Sequence, residues 1–167
     1  MITIRPLSAS QWQHHKMLRL QSLLDSPEAF GSTYEAEHTR SDTDWAQRIA
    51  TALASQHDRI FLAYHNDVAC GLVWCKLATQ SATTAELFQM WVAPAQRGHG
   101  AGTRLLDAAV HWAKNAGMRT VALGVTQSNA AAIHLYSQYG FAPVGEAIPL
   151  REGSTLLSQT MVLTLSP

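Results

Sequence analysis

The sequence has no surplus of charge: over 167 residues, twelve Lys and Arg balance twelve Asp and Glu. Without a cationic surplus there is no broad electrostatic grip on DNA, RNA or anionic lipid, so no nucleic acid and no membrane is expected as a partner. Any anion must be held locally. Cysteine is scarce, with only Cys70 and Cys75. Five apart on one strand, they should fall on opposite faces and act as reduced packing residues rather than a bridge. The longest apolar stretch, residues 68–75, is far short of the roughly 20 residues needed to span a bilayer. Residues 1–10 lack a basic start followed by an apolar core, which points to the cytoplasm. The eight histidines are scattered without zinc-ligand spacing, so no metal is expected.

What is present fits a single mixed α/β domain over residues 1–167. Residues 2–6 alternate like a short strand, and Ser8 with Gln11 forms a capping box for a helix that Asp25-Ser26-Pro27 ends. A loop to about Arg40 follows, then Ser41 caps a second helix with Trp45, Ile49 and Leu53 on one face. Residues 59–64 and 68–77 read as strands joined by a tight Asn66-Asp67 turn, and residues 86–92 as a third strand that Pro94 terminates. Leu105, Leu106, Ala109, Val110 and Ala113 mark a helix from 103 to 116, stopped by Gly117, and residues 120–125 make a strand. Ser128 or Asn129 caps a helix to Tyr139, Gly140 closes it, and strands are expected at 141–144 and 156–165. The order β-α-α-β-β-β-α-β-α-β-β gives about seven strands and four helices, with one parallel βαβ unit around Arg97.

The chemistry concentrates in that unit. Arg97, Gly98, His99, Gly100, Ala101, Gly102 and Thr103 join a strand to a helix N-terminus, and three glycines in five residues let successive N–H groups curl around a phosphate. Position 102 is not followed by the lysine a nucleotide triphosphatase loop requires, and Thr103 replaces the third glycine of a dinucleotide fingerprint. ATP and NAD are therefore disfavoured.

Val92-Ala93-Pro94 followed by Arg97-Gly98-His99-Gly100-Ala101-Gly102, and then Asn129, Ala132, Tyr136, Gly140 and Phe141, together resemble the GNAT superfamily of acetyl-CoA-dependent N-acetyltransferases. Independently of that resemblance, Asn129, Ala132 and Tyr136 share one helical face. The resemblance implies a mostly antiparallel GNAT-like sheet, acetyl-CoA as cosubstrate, an amine of a small molecule or peptide as acceptor, and room for a homodimer. It assigns the glycine loop to the CoA pyrophosphate and Asn129 to the pantetheine arm. Tyr136 becomes the general acid toward the departing sulfur, and Glu86, eleven residues before Arg97, the base. It also implies a bulge in the strand carrying Gln89, Met90, Trp91 and Val92, with an N–H near Met90 facing the thioester oxygen. Gly124 stands where relatives acting on ribosomal-protein N-termini carry a glutamate, which argues against that substrate.

The resemblance implies acceptor walls from residues 26–40 and 146–154. Glu28, Glu35, Glu37, Glu146 and Glu152 could attract an amine, and Phe30, Tyr34 and, from the helix that follows, Trp45 could pack its skeleton. Tyr139 reads as structural. The rival to an enzyme is a sensor that binds acyl-CoA without turnover; the presence of both an acid and a base favours the enzyme.

Overall fold

Period-two runs of β-branched and aromatic residues form strands in this chain, and period-3.6 runs form helices. The structure is a computed structural model describing residues 1–80 and 83–166. Ser81 and Ala82, in the polar connection expected before the third meander strand, and Pro167 lie outside the described residues. The strands are β1 (Ile2–Pro6), β2 (Asp58–His65), β3 (Val68–Leu77), β4 (Thr84–Val92), β5 (Thr120–Thr126), β6 (Ala142–Pro143), β7 (Ile148–Pro149) and β8 (Leu157–Thr164). The α-helices are α1 (Trp12–Asp25), α2 (Tyr34–Glu37), α3 (Asp42–Ala54), α4 (Ala101–Asn115) and α5 (Ala130–Tyr139).

One sheet runs in the order β1-β2-β3-β4-β5-β8-β6, with β7 pairing β8. Among the described residues only β4 and β5 are parallel, and α4 crosses between them, which is the βαβ unit read from the sequence. Two short elements exceed expectation: α2 lies in the stretch read as loop, and β7 adds an eighth strand. Asn66 and Asp67 both adopt positive φ, 50° and 68°, the conformation a two-residue hairpin turn demands. Ser41 Oγ accepts the Asp44 N–H at 3.1 Å and starts α3. Gln11 Oε1 accepts the Ser8 N–H at 3.0 Å, but this opens a 3-10 turn that leads into α1. No helix among the described residues is long and apolar enough to cross a membrane.

The sheet separates two apolar clusters. Leu105, Leu106 and Ala109 of α4 pack with Val73, Leu87, Val121 and Phe141 on one face. Leu18 of α1 and Ile49 of α3 pack with Ile60, Leu62 and Leu72 on the other. The cysteines depart from expectation. Ala63 opposes Gly71 while Tyr64 opposes Ala69, so Cys70 is an extra residue in β3. That bulge resets the alternation, and Cys70 and Cys75 fall in the same apolar cluster rather than on opposite faces, both free and buried.

Candidate active site

The centre of the site is a break in the ladder. β3 and β4 stay in step from Leu77 opposite Ala85 to Trp74 opposite Phe88, but Leu72 then opposes Trp91. Gln89 and Met90 thus share the single residue Val73, and Gln89 takes φ 60°, which a non-glycine residue adopts only when its surroundings impose it. The parallel pairing of β4 with β5 ends at Leu87 opposite Leu123. Beyond that point Gly124, Val125 and Thr126 pair with β8 alone, and the two strands part.

A buried histidine holds the bulge. His15 is 2% exposed, and its Nε2 lies 2.9 Å from Gln89 Oε1. Its ring packs against Trp45 and Trp74 at centroid distances of 6.0 and 5.4 Å. Burial pushes its pKa down to about 4, so the ring is neutral near pH 7, and the bond to Oε1 assigns its proton to Nε2. The family resemblance implies this bulge, but no residue type in the strand betrays it, because what fixes it is a side chain 74 residues away.

On one side of the parted strands is a cavity of about 570 Å³. Gly98 and Gly100 both take φ 82°, and a Cβ built on either would project into open space, so the loop turns its backbone outward as an anion cradle requires. The first N–H of α4 to find a helical acceptor is that of Arg104, to Gly100 O at 3.0 Å; the preceding N–H groups begin the helix at the cavity wall. Gly102 differs, since its Cβ would meet Leu135 Cδ2 at 3.0 Å; it serves packing between α4 and α5. Met90, Trp91, Val92, Arg97, Gly98, Gly100, Ala101, Gly102, Thr103, Asn129, Ala132 and Tyr136 all line this cavity, whereas His99 does not.

Arg97 donates from Nε to Val92 O at 2.9 Å and from Nη2 to Asp25 Oδ2 at 2.8 Å. The same Asp25 oxygen accepts from Ser26 Oγ at 2.7 Å and Trp91 Nε1 at 3.1 Å. These donors, the Ser26 hydroxyl foremost, hold the Asp25 carboxyl below its ordinary value. Asp25 ties the end of α1 to the bulged strand and the glycine loop, an association absent from any local motif.

At the head of α5, Asn129 rather than Ser128 is the cap, its Oδ1 accepting the Ala132 N–H at 3.2 Å. Tyr136 is 6% exposed, and its ring meets Phe141 edge-on at 5.9 Å. Burial raises its pKa, so the phenol keeps its proton. Tyr139 instead donates to Asp107 Oδ1 at 2.7 Å, the structural role expected of it.

A second cavity, of about 660 Å³, lies on the other side and shares Ala29, Met90, Asn129, Ala132 and Tyr136 with the first. Phe30 lines it, as the loop reading expects, but the five glutamates do not. Glu37 is buried in an ion pair with Arg19, and Glu28 borders the first cavity. Trp45 belongs to the core, and Tyr34 stacks on His38 at 4.7 Å. Glu86 lines neither cavity; it sits opposite Lys76, two residues before Phe88, which does line the second. Among the described residues this second wall holds no carboxylate and no imidazole. A Cβ on Gly124 would meet Ser158 Oγ at 3.0 Å, so close packing with β8 accounts for that glycine.

Arg151 ties the loops at 146–154 and 26–40 together, its Nη2 donating to Pro27 O and Phe30 O, each at 2.8 Å. Thr126 Oγ1 adds a bond to Glu28 O at 2.8 Å. Sequence reasoning missed Arg151, Thr126 and Arg19, since the partners of each lie far away in the chain.

Comparison with known proteins agrees with this geometry. A mycothiol acetyltransferase from Tsukamurella paurometabola is 29% identical over 123 residues, 70% of this chain and 39% of that protein. The uncharacterized N-acetyltransferase YobR of Bacillus subtilis is 44% identical over 55 residues, 33% of this chain and 22% of its own length. The chain therefore spans well under half the length of these curated relatives. An acetyltransferase of the GNAT family from Streptococcus pneumoniae has the same fold, with a TM-score of 0.82 and 21% identity over 99% of this chain and 100% of that one. So does yncA, a putative acetyltransferase from Salmonella typhimurium solved with its cofactor acetyl-CoA, with a TM-score of 0.77 and 23% identity over 99% of this chain and 94% of that one. The model of the acetyltransferase (GNAT) family matches residues 19–141, most of the chain, and the chain belongs to that family.

Proposed function

We propose that this chain, acting in the cytoplasm as a single domain over residues 1–167, moves an acetyl group from acetyl-CoA to a primary amine of a small molecule or peptide. The observation that carries the reading is the meeting of two cavities where β4 and β5 part, with the glycine loop beside one and Tyr136 in the wall of both. Such an arrangement lets an amine and a thioester approach from opposite sides for direct attack in a ternary complex. Both cysteines are buried on β3 and line neither cavity, so a covalent acyl-enzyme through sulfur finds no support.

In this reading the N–H groups of the glycine loop and of the start of α4 hold the pyrophosphate. Asn129, whose Oδ1 is engaged as the helix cap, offers its Nδ2 to the pantetheine arm. The Met90 backbone N–H stabilises the oxyanion as the amine nitrogen bonds to the acetyl carbon. Tyr136 gives its proton to sulfur as the carbon–sulfur bond breaks. Glu86 takes the amine proton through intervening water, since it stands back from the cavity wall.

Two measurements test the proposal. Acetyl-CoA and CoA should raise the melting temperature, while NAD and ATP should not. Acetyl-CoA should release thiol only when an accepted amine is present. A shift with NAD alone, or CoA binding with no turnover across polyamines, amino acids, aminoglycosides and peptides, would overturn the enzyme reading; the second outcome would favour the sensor.

A further inference from the structure

The second cavity has a wall of one sign. Arg19, Arg48 and Lys76 line it with no carboxylate among the described lining residues, in a chain whose formal net charge is zero. The counterions stand outside the wall. Arg19 Nε and Nη2 grip Glu37 at 3.0 and 2.8 Å, Arg48 Nε meets Asp44 at 2.9 Å, and Lys76 Nζ lies 3.7 Å from Asp58.

The pairing is also incomplete. Arg40 reaches both Glu37, at 3.3 Å, and Asp44, at 3.9 Å. Three guanidiniums therefore share two carboxylates. His15, one turn before Arg19, is neutral and changes nothing in that imbalance. Arg19 is 5% exposed, stacks over Phe30 at 4.9 Å, and its Nη1 is buried with no hydrogen-bond partner among the described residues. A buried guanidinium with an unused donor, in a wall whose carboxylates, Glu86 opposite Lys76 included, all stand outside it, suits an anion on a bound ligand. Arg48 and Lys76, with side chains 54% and 46% exposed, add two further cations that an incoming molecule can meet. Phe30, Trp74 and Phe88 supply the apolar remainder of the wall.

We propose that the acceptor is an amine that also carries a carboxylate, an amino-acid-like molecule whose carboxylate is held by Arg19, Arg48 and Lys76 while its amine faces Met90 and Tyr136. The proposal rests on the acetyl-transfer reading above and narrows it. A cationic wall has a second effect in the same direction: it disfavours the ammonium form of the amine and so favours the neutral nucleophile, in a cavity that offers no base of its own.

The experiment is a thiol-release assay with acetyl-CoA and matched pairs. The common L-amino acids, β-alanine and glycylglycine are each set against their carboxamides, with spermidine and tyramine as amines lacking a carboxylate. At least one acid should exceed its amide by about tenfold or more in kcat/KM, the scale of a hydrogen-bonded charge. That ratio should fall in R48Q/K76Q, whose side chains are exposed enough for the fold to persist, and more so in R19K if it folds. Amides or polyamines used as well as or better than the acids would overturn the proposal and leave acetyl transfer standing. CoA binding with none of these amines acetylated would overturn the proposal and, if it held across aminoglycosides and longer peptides too, the enzyme reading with it. An acid preference unchanged in R48Q/K76Q would remove the two exposed cations from the site. Failure of CoA to bind at all would instead overturn the reading beneath it.

Discussion

The two cavities are built from different materials. The one beside the glycine loop is shaped by backbone: left-handed Gly98 and Gly100, the unpaired start of α4 and the cap of α5. The one beside α1 is shaped by side chains that come from distant parts of the chain, Arg19, Arg48, Trp74 and Lys76 among them. A backbone cradle needs particular residues in consecutive positions and so leaves a motif. A side-chain wall needs only that scattered positions converge, and it leaves almost none.

Tyr136 lines both cavities, and its replacement should have the largest effect. Tyr136→Phe keeps the ring packed on Phe141 and removes only the proton donor, so turnover should fall within the range of about 10²–10⁴-fold that a positioned acid contributes, at its lower end because a thiolate already leaves well. Melting temperature and CoA affinity should hold. Single-turnover rates close to those of the unaltered protein would end the assignment, with Tyr139→Phe as the control.

The side-chain half carries a pH signature. An unfolded chain protonates His15 near its ordinary value of 6.5, whereas the folded chain resists until about 4. Its neutral burial therefore leaves stability intact above 6.5 and erodes it as pH falls toward 4, by a total on the order of 3 kcal/mol. Urea titrations at intervals between those limits should show a shallower acid slope for His15→Gln than for the native chain. Parallel slopes would mean that the imidazole is not kept neutral.

In the backbone half, Gly100→Val puts a β-branched residue at a left-handed φ where its Cβ meets no neighbour, so the penalty is conformational rather than steric crowding. At about 1–2 kcal/mol for that conformation, CoA affinity measured by calorimetry should weaken by roughly 5- to 30-fold. An undiminished affinity would detach the loop from the phosphate. The smallest change is expected at Glu86, which stands off the wall: Glu86→Gln should slow turnover severalfold, most at low pH, where free amine is scarce. A pH–rate profile that coincides with that of the native chain would exclude the carboxylate.

The same division governs what could be read in advance. The hairpin at Asn66-Asp67, the Ser41 cap, the stop at Gly117 and the glycine loop are local, and each is written in a few consecutive residues. Nothing local marks Gln89, whose positive φ answers to His15, or Cys70, whose bulge moves both cysteines to one face. The glutamates of residues 26–40 read as amine-attracting because their partners are invisible in the sequence; Glu37 is in fact committed to Arg19 and Arg40. Nearly all of the residues around the glycine-loop cavity were legible, then, while the wall beside α1 had to wait for the fold.

Ala29 belongs to the short segment that borders both cavities, and Arg151 and Thr126 hold the carbonyls of its neighbours. An occupant of either cavity that displaces this segment changes the free energy of filling the other. Linkage makes that change symmetric: whatever factor the cosubstrate imposes on acceptor affinity, the acceptor imposes on the cosubstrate. Equilibrium titrations run in both orders must close the same thermodynamic square, and the size of the coupling measures how firmly Arg151 pins the shared wall.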